Sequence, residues 1–281
     1  MKLLTLNTHS WLEEQPDAKL DALIETILAN QFDVIAFQEV NQSIAESVID
    51  VSNHFAYQAA DPTIQIKRNN FAFIVQQKLE QAGLRYVWTW QPAHIGYDIY
   101  DEGLAFLSLY PIQEIKTFYA SKSKTYENYK TRPVLGVQIE GSWYFNLHLG
   151  WWEDDNDSFK DQWLKCSAVF DSLPGPIYLM GDFNNPAQVK NEGYELVSQK
   201  WFDTFYLAAK RDTGYTIEKN IDGWSENNEQ LRIDFIFTNQ PIDILISEVF
   251  FNGLNSPIVS DHYGVSIELA KEKAPIYSGS E

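Results

Sequence analysis

The sequence predicts an α/β (α+β) layered fold in which mixed β-sheets are covered by helices. Three observations carry that expectation. Short apolar runs of strand-like composition recur along the chain, amphipathic helical patterns fall between some of them, and residues 140–142 (Glu-Gly-Ser) form a hairpin-sized connection. In order, the strand candidates are 2–6, 33–37, 71–75, 86–90, 103–109, 134–139, 143–147, 177–180, 232–238, 244–251 and 264–269. The clearest helix follows Pro16-Asp17, a start signal, and carries Leu20, Leu23, Ile24, Ile27 and Leu28 on one face. A second aligns Phe159, Trp163, Cys166, Phe170 and Leu173 and stops before Pro174-Gly175. Residues 209–230 are polar and glycine-containing, and read equally as a substrate loop or a surface excursion.

The 281 residues are 44% hydrophobic and 15% aromatic, enough to fill a large core, which excludes a disordered chain or a fibrous repeat. No linker-like composition interrupts residues 1–270, so they are read as one domain, with 271–281 a polar, loose tail. A net charge of −18 opposes broad attraction to nucleic acid or anionic membranes, yet allows a locally positive pocket. No apolar run approaches the ~20 residues of a membrane helix. The single cysteine cannot close an intramolecular disulfide, and the start of the chain lacks a signal-peptide pattern, so the cytoplasm is the expected location; a monomer is expected as well.

The chemistry sits where strands end. Leu4-Thr5-Leu6 delivers Asn7, and 34–37 delivers Gln38-Glu39. Residues 144–147 run into His148, and 177–180 open into Gly181-Asp182-Phe183-Asn184. Asp234 sits within Arg232-Ile233-Asp234-Phe235-Ile236, and Ser260-Asp261-His262 precedes the last strand. Singly, a polar residue at a strand end is usually a turn former. Together, several acids converging on one cleft would repel, and a hard divalent cation would neutralise them. Oxygen donors without a Cys-rich or His-rich cluster suit magnesium or manganese.

In this order and at these strand ends, the set resembles the endonuclease/exonuclease/phosphatase superfamily from Asn7 to His262. Its most specific pieces are Gln38-Glu39, Gly181-Asp182-Phe183-Asn184 and Ser260-Asp261-His262. The resemblance implies a four-layer sandwich: two packed mixed sheets, helices outside, and the site at one end. It implies metal-dependent phosphoester hydrolysis with Glu39 as principal metal ligand and Asn7 and Asp261 nearby. Asp182 would activate the attacking water and Asn184 would position it. His148 and His262 would flank the phosphate, with Asp234 holding His262 and Glu102 holding His148. Tyr100 and Arg132 are expected near the phosphate. His9 stands where some relatives carry a metal-touching acid and is expected to line the pocket.

The rim must separate a phosphatase from a nuclease. A duplex nuclease needs Lys and Arg along several phosphates, whereas here basic residues thicken only around Lys116, Lys122, Lys124, Lys130 and Arg132. Trp11, Tyr97, Tyr100, Trp151, Trp152 and Trp224 fall in loop-like stretches and suit the apolar faces of a sugar or unpaired bases. The opening 4–14, the stretch 38–42 and the paired tryptophans resemble the superfamily's bacterial branch acting on maltose 6'-phosphate. A small phosphorylated sugar is therefore the expected substrate, with a magnesium-dependent DNA endonuclease or phosphodiesterase as the alternative and a catalytically silent binding protein a more distant one.

Overall fold

A computed structural model describes residues 1–51, 56–154, 156–218, 221, 224 and 228–270. Two mixed sheets pack face to face between helical layers. The first sheet runs Ala208–Arg211 (β11), Ile244–Phe250 (β13), Gly264–Leu269 (β14), Lys2–Asn7 (β1), Val34–Gln38 (β2), Tyr100–Ser108 (β5), Gln42–Ser43 (β3), with Val87–Gly96 (β4) also paired to β5. The second runs Phe202–Asp203 (β10), Asp234–Thr238 (β12), Ile177–Asp182 (β9), Ser142–His148 (β8), Pro133–Ile139 (β7), Glu114–Tyr119 (β6). In the first sheet β1 runs parallel to β2, and in the second β8 runs parallel to β9.

The strands read as continuous apolar runs because both faces of each sheet are covered. Leu3, Val34 and Ala36 point into the layer between the sheets, where they meet Leu135, Val137, Met180 and Ile236. Their neighbours Leu4, Leu6, Ile35 and Phe37 point outward to Pro16–Asn30 (α1) and Phe71–Gln81 (α2). On the far side Phe145, Leu147, Leu179 and Phe235 pack with Phe159–Phe170 (α3), and Val197 of Gly193–Ser198 (α4) joins them. Thr204–Leu207 (α5) is a single turn leading into β11. Phe145 stacks on Trp143 at 5.6 Å and tilts against Phe170 at 4.7 Å, so Phe145→Ala would cost about 3–5 kcal/mol.

Residues 71–75, expected as a strand, form the start of α2. The Asn70 side chain accepts from the Phe73 amide and caps the helix, and Phe71, Val75 and Leu79 share its buried face. The helical period emerges only beyond residue 75, across Gln76-Gln77-Lys78-Leu79. The 140–142 connection is a tight hairpin with Glu140 and Gly141 both left-handed, at φ 51° and 76°.

A polar clasp fixes the two sheets beneath the site. Buried Gln38 donates to Asn146 Oδ1 at 2.6 Å and to Thr5 Oγ1 at 3.1 Å. The Asn146 amide in turn donates to the carbonyls of Phe37 and Ala105 at 2.8 and 2.9 Å. Removing either side chain would strand buried donors or carbonyls.

Candidate active site

The second sheet sets three side chains in one row. His148 at the end of β8 lies in register with Asp182 at the end of β9, which pairs in turn with Asp234 at the start of β12. Register partners project to the same face, so imidazole and two carboxylates converge. Gly181 makes this possible. Its φ is +144°, and a Cβ there would sit 1.9 Å from the Leu147 carbonyl oxygen. Thr216 accepts the Asp234 amide at 3.3 Å, steadying the third member of the row.

The first sheet brings amide and carboxylate from the facing side. Asn7 donates through Nδ2 to Glu39 Oε1 at 2.8 Å and to Asp182 Oδ2 at 3.3 Å, joining the two sheets' contributions. Glu39 lies just past β2 with φ 52°, a left-handed conformation that costs about 1–3 kcal/mol at a non-glycine residue. Ser260 Oγ holds the Asn7 carbonyl at 2.7 Å, which brings Asp261 beside the same end of the sheet. The Asp261 amide donates to Glu13 Oε1 at 2.9 Å, and His9 Nδ1 donates to that oxygen at 2.8 Å.

The two histidines differ in charge. His262 donates through Nδ1 to Asp234 Oδ2 at 3.0 Å, and its Nε2 lies 3.8 Å from Asp182 Oδ2. Burial opposes its charge, but Asp234 and Asp182 outweigh burial and hold its pKa well above the usual value. His148 Nε2 lies 3.6 Å from Asp182 Oδ2 and 3.9 Å from Glu39 Oε1. Burial, reinforced by the charges of Arg132, His94 and His262, holds its pKa well below the usual value. His9 goes the other way. Burial lowers its pKa, yet the bond to Glu13 and the charges of Asp261 and Glu39 raise it to about 9.

The acids carry the matching strain. Burial, then the charge of Asp234, pushes Asp182 up to about 7 against the pull of His262. Burial and the charge of Asp261 raise Glu39 as well. Closely packed carboxyl groups with raised proton affinity, beside the Asn7 amide and no thiolate, are a donor set that fits a hard divalent cation. Among the described residues, two groups of three have ligand atoms within 4.8 Å of one another: His9, Glu13 and Asp261, and Asp182, Asp234 and His262.

A cavity of about 340 Å³ opens over this row, lined by Glu39, Glu102, Arg132, His148, Trp151, Asp182, Asn184 and His262 among the expected residues. Its wall also includes His94, Gly96, Tyr97 and Tyr129. Glu102 faces His94, with 3.4 Å between Oε1 and Nε2, whereas no hydrogen bond or ion pair joins it to His148. The cause is strand register: β4 and β5 pair antiparallel with His94 opposite Glu102. Tyr100, Asn7, His9 and Asp261 are not part of the cavity wall; Tyr100 lies at the start of β5 opposite Ser43 and Gly96. The adjacent tryptophans divide. Trp151 lines the cavity with the Arg132 guanidinium 6.0 Å from its ring, while Trp152 packs on Phe159 in the second sheet's outer core.

Asn184 is fixed from three sides. Its backbone amide donates to Asp182 Oδ1 at 2.8 Å, its Nδ2 to the Leu149 carbonyl at 2.9 Å, and the Trp224 indole donates to its Oδ1 at 3.2 Å. Trp224 thus brings part of the 209–230 stretch to the site; residues 219–220, 222–223 and 225–227 of it lie outside the described residues. His94 and Glu13 escape sequence reasoning because neither stands at a strand end or in a distinctive motif. An imidazole in the middle of the apolar pattern 87–96 was the available signal for His94.

Comparisons with known proteins bear on the family and the fold. The model of the Endonuclease/Exonuclease/phosphatase family matches residues 10–262. A solved endonuclease/exonuclease/phosphatase family protein from Leptotrichia buccalis is 31% identical, with a TM-score of 0.84 over 96% of this chain and 100% of that one. A mannosyl-6-phosphatase from Bacteroides thetaiotaomicron shares 15% identity and a TM-score of 0.63 over 96% and 100%. A 3' phosphatase from Neisseria bound to a product DNA hairpin shares 17% and 0.62, again over 96% and 100%. These last two establish likeness of fold alone. No curated protein matches the sequence. Among the described residues, no helix is long and apolar enough to cross a membrane. Enzymes of this family are hydrolytic phosphoesterases that depend on a divalent metal. With the family pattern matched over most of its length and a cluster of acids and histidines at the strand ends, the chain belongs to the endonuclease/exonuclease/phosphatase family as a phosphoesterase.

Proposed function

We propose that the protein is a divalent-metal-dependent phosphomonoesterase acting on a small phosphorylated sugar, by attack of a water activated by Asp182. The observation that carries this reading is the placement of Asp182 Oδ2 between two imidazoles, 3.6 Å from His148 and 3.8 Å from His262, inside a cavity with Arg132 in its wall. A volume of about 340 Å³ falls at the low end of small-molecule sites, ~300–1,000 Å³, and suits one small ester. The charge of −18 disfavours a long polyanion.

Glu39 would hold magnesium or manganese, with Asn7 and Asp261 beside it directly or through water. When bound, the ion supplies positive charge against the phosphate oxygens. Asp182, raised to about 7, is matched to taking a proton from water near neutral pH. Its Oδ1 accepts from the Asn184 amide, and Oδ2, which accepts from Asn7 at 3.3 Å, has a further lone pair for the water. The water oxygen attacks phosphorus, the ester P–O bond breaks, and His262 gives its Nε2 proton to the departing sugar oxygen. His148, neutral, donates one N–H to a phosphate oxygen without adding charge. Arg132 binds the phosphate electrostatically, and Trp151 offers an apolar wall. The second amide hydrogen of Asn184 remains for the water or a phosphate oxygen.

Of the two relatives of similar fold, the mannosyl-6-phosphatase by name acts on a sugar phosphate, which accords with this reading, whereas the 3' phosphatase is bound to DNA. Phosphate release with magnesium separates them, across hexose 6-phosphates, maltose 6'-phosphate, nucleotides and 3'-phosphorylated DNA, alongside plasmid nicking. Hexose or maltose phosphates should lead the panel. Plasmid nicking or DNA dephosphorylation without turnover of any sugar phosphate would reject the proposal.

A further inference from the structure

The cavity has an aromatic mouth that the phosphate chemistry does not use. Tyr97 and Tyr129 line it, and they are 51% and 58% exposed. Tyr97 and Asp98 form the tip of the β4–β5 hairpin, with φ 51° and 61° and the Ile99 amide bonded to the Gly96 carbonyl at 3.2 Å. Two consecutive left-handed residues at such a tip favour Asn-Gly, since a larger side chain there is strained. Burial does not account for a half-exposed tyrosine kept in that conformation. Tyr97, however, lines the cavity.

Tyr129 comes from the segment between β6 and β7, and that segment is stitched to the same hairpin. The Ile95 amide donates to the Tyr126 carbonyl at 2.9 Å, and the Tyr126 hydroxyl donates to Asp101 Oδ1 at 2.8 Å. The Thr131 amide closes the turn onto the Asn128 carbonyl at 2.8 Å, one step from Arg132 in the cavity wall. Tyr97 and Tyr129 therefore belong to one braced, solvent-exposed part of the cavity lining, whereas Arg132, His148 and His262 are buried. A pyranose ring has an apolar C–H face that suits an aromatic ring and hydroxyl edges that suit a phenol.

We infer that Tyr97 and Tyr129 are specificity-determining residues that hold the sugar ring of the substrate while Arg132, His148 and His262 engage its phosphate. This rests on the phosphomonoesterase reading above and names where the leaving group sits. The experiment is steady-state kinetics with magnesium on the full chain and its Tyr97→Asn and Tyr129→Leu variants, comparing mannose 6-phosphate with glycerol 3-phosphate, together with melting temperatures. Each variant should raise KM for mannose 6-phosphate roughly tenfold with kcat within about twofold, so that preference for the pyranose ester shrinks roughly tenfold. Tyr97→Asn should melt at the same temperature or higher, because asparagine tolerates the left-handed conformation. Sugar phosphate turnover whose KM and preference survive both substitutions would overturn the inference alone. So would a KM rise accompanied by a lower melting temperature in both variants, which marks a structural role. Wild-type protein that processes DNA and no sugar phosphate would overturn the reading beneath it, and the inference with it.

Discussion

Asn7 and Glu39 arrive from the first sheet, and His148, Asp182 and Asp234 from the second, but the two sets are held differently. The second set is locked by strand register, three side chains in a row across β8, β9 and β12. Only Asn7 of the first set lies within a strand; Glu39 follows β2 in a strained conformation, and Asp261 sits in the loop before β14. His262, from that same loop, crosses over to bond Asp234. The difference implies a division of labour. Rigid register suits proton transfer, where a small misplacement costs rate, whereas loop-borne oxygen donors can adjust around an ion.

The largest effect should come from breaking the row at its centre. Asp182→Ala is expected to lower kcat by about a thousandfold or more, while magnesium affinity measured by calorimetry changes little. Glu39→Gln should do the reverse, raising the magnesium concentration for half-maximal activity by about 10–100-fold. Parallel losses of metal affinity in both variants would erase the distinction between the sheets.

His148→Ala and His262→Ala should each lower kcat by ~100-fold, with different pH behaviour. Because Asp234 raises His262, Asp234→Asn lowers its pKa, so the protonated form is lost earlier and the alkaline limb of kcat should move to lower pH. An unmoved limb would mean that His262 does not supply the proton. The metal requirement has its own sign. Glu39 holds its proton more tightly than a free carboxylate, so the magnesium concentration needed should rise as pH falls. The smallest contrast is between neighbours: Trp152→Ala should lower the melting temperature without changing KM, and Trp151→Ala should raise KM. Matching effects would return both indoles to a structural role.

Much of this was legible in the sequence, for a physical reason. Strands buried on both faces must be apolar throughout, so the polar residue that ends each one stands out, as Asn7, Glu39, His148 and Asp182 do. The mixed-sheet fold followed from the same runs. Pairing across space was less legible. Glu102 was expected against His148, but register sets it opposite His94, a partner no local pattern announces. Residues 71–75 misled because five apolar residues satisfy a strand and a buried helix alike, and the Asn70 cap decides between them. Gly181 was visible as part of a motif, but its necessity lies in the Leu147 carbonyl that it passes.

The central claim is that Glu39, with Asn7 and Asp261 nearby, holds the catalytic cation at the end of the first sheet while the second sheet handles protons. Anomalous diffraction from crystals soaked in manganese and inorganic phosphate tests it most directly. A manganese peak bonded to Glu39, with phosphate lying between His148 and His262, is the predicted result. A peak confined to the Asp182, Asp234 and His262 cluster, or to His9, Glu13 and Asp261 without Glu39, would contradict it.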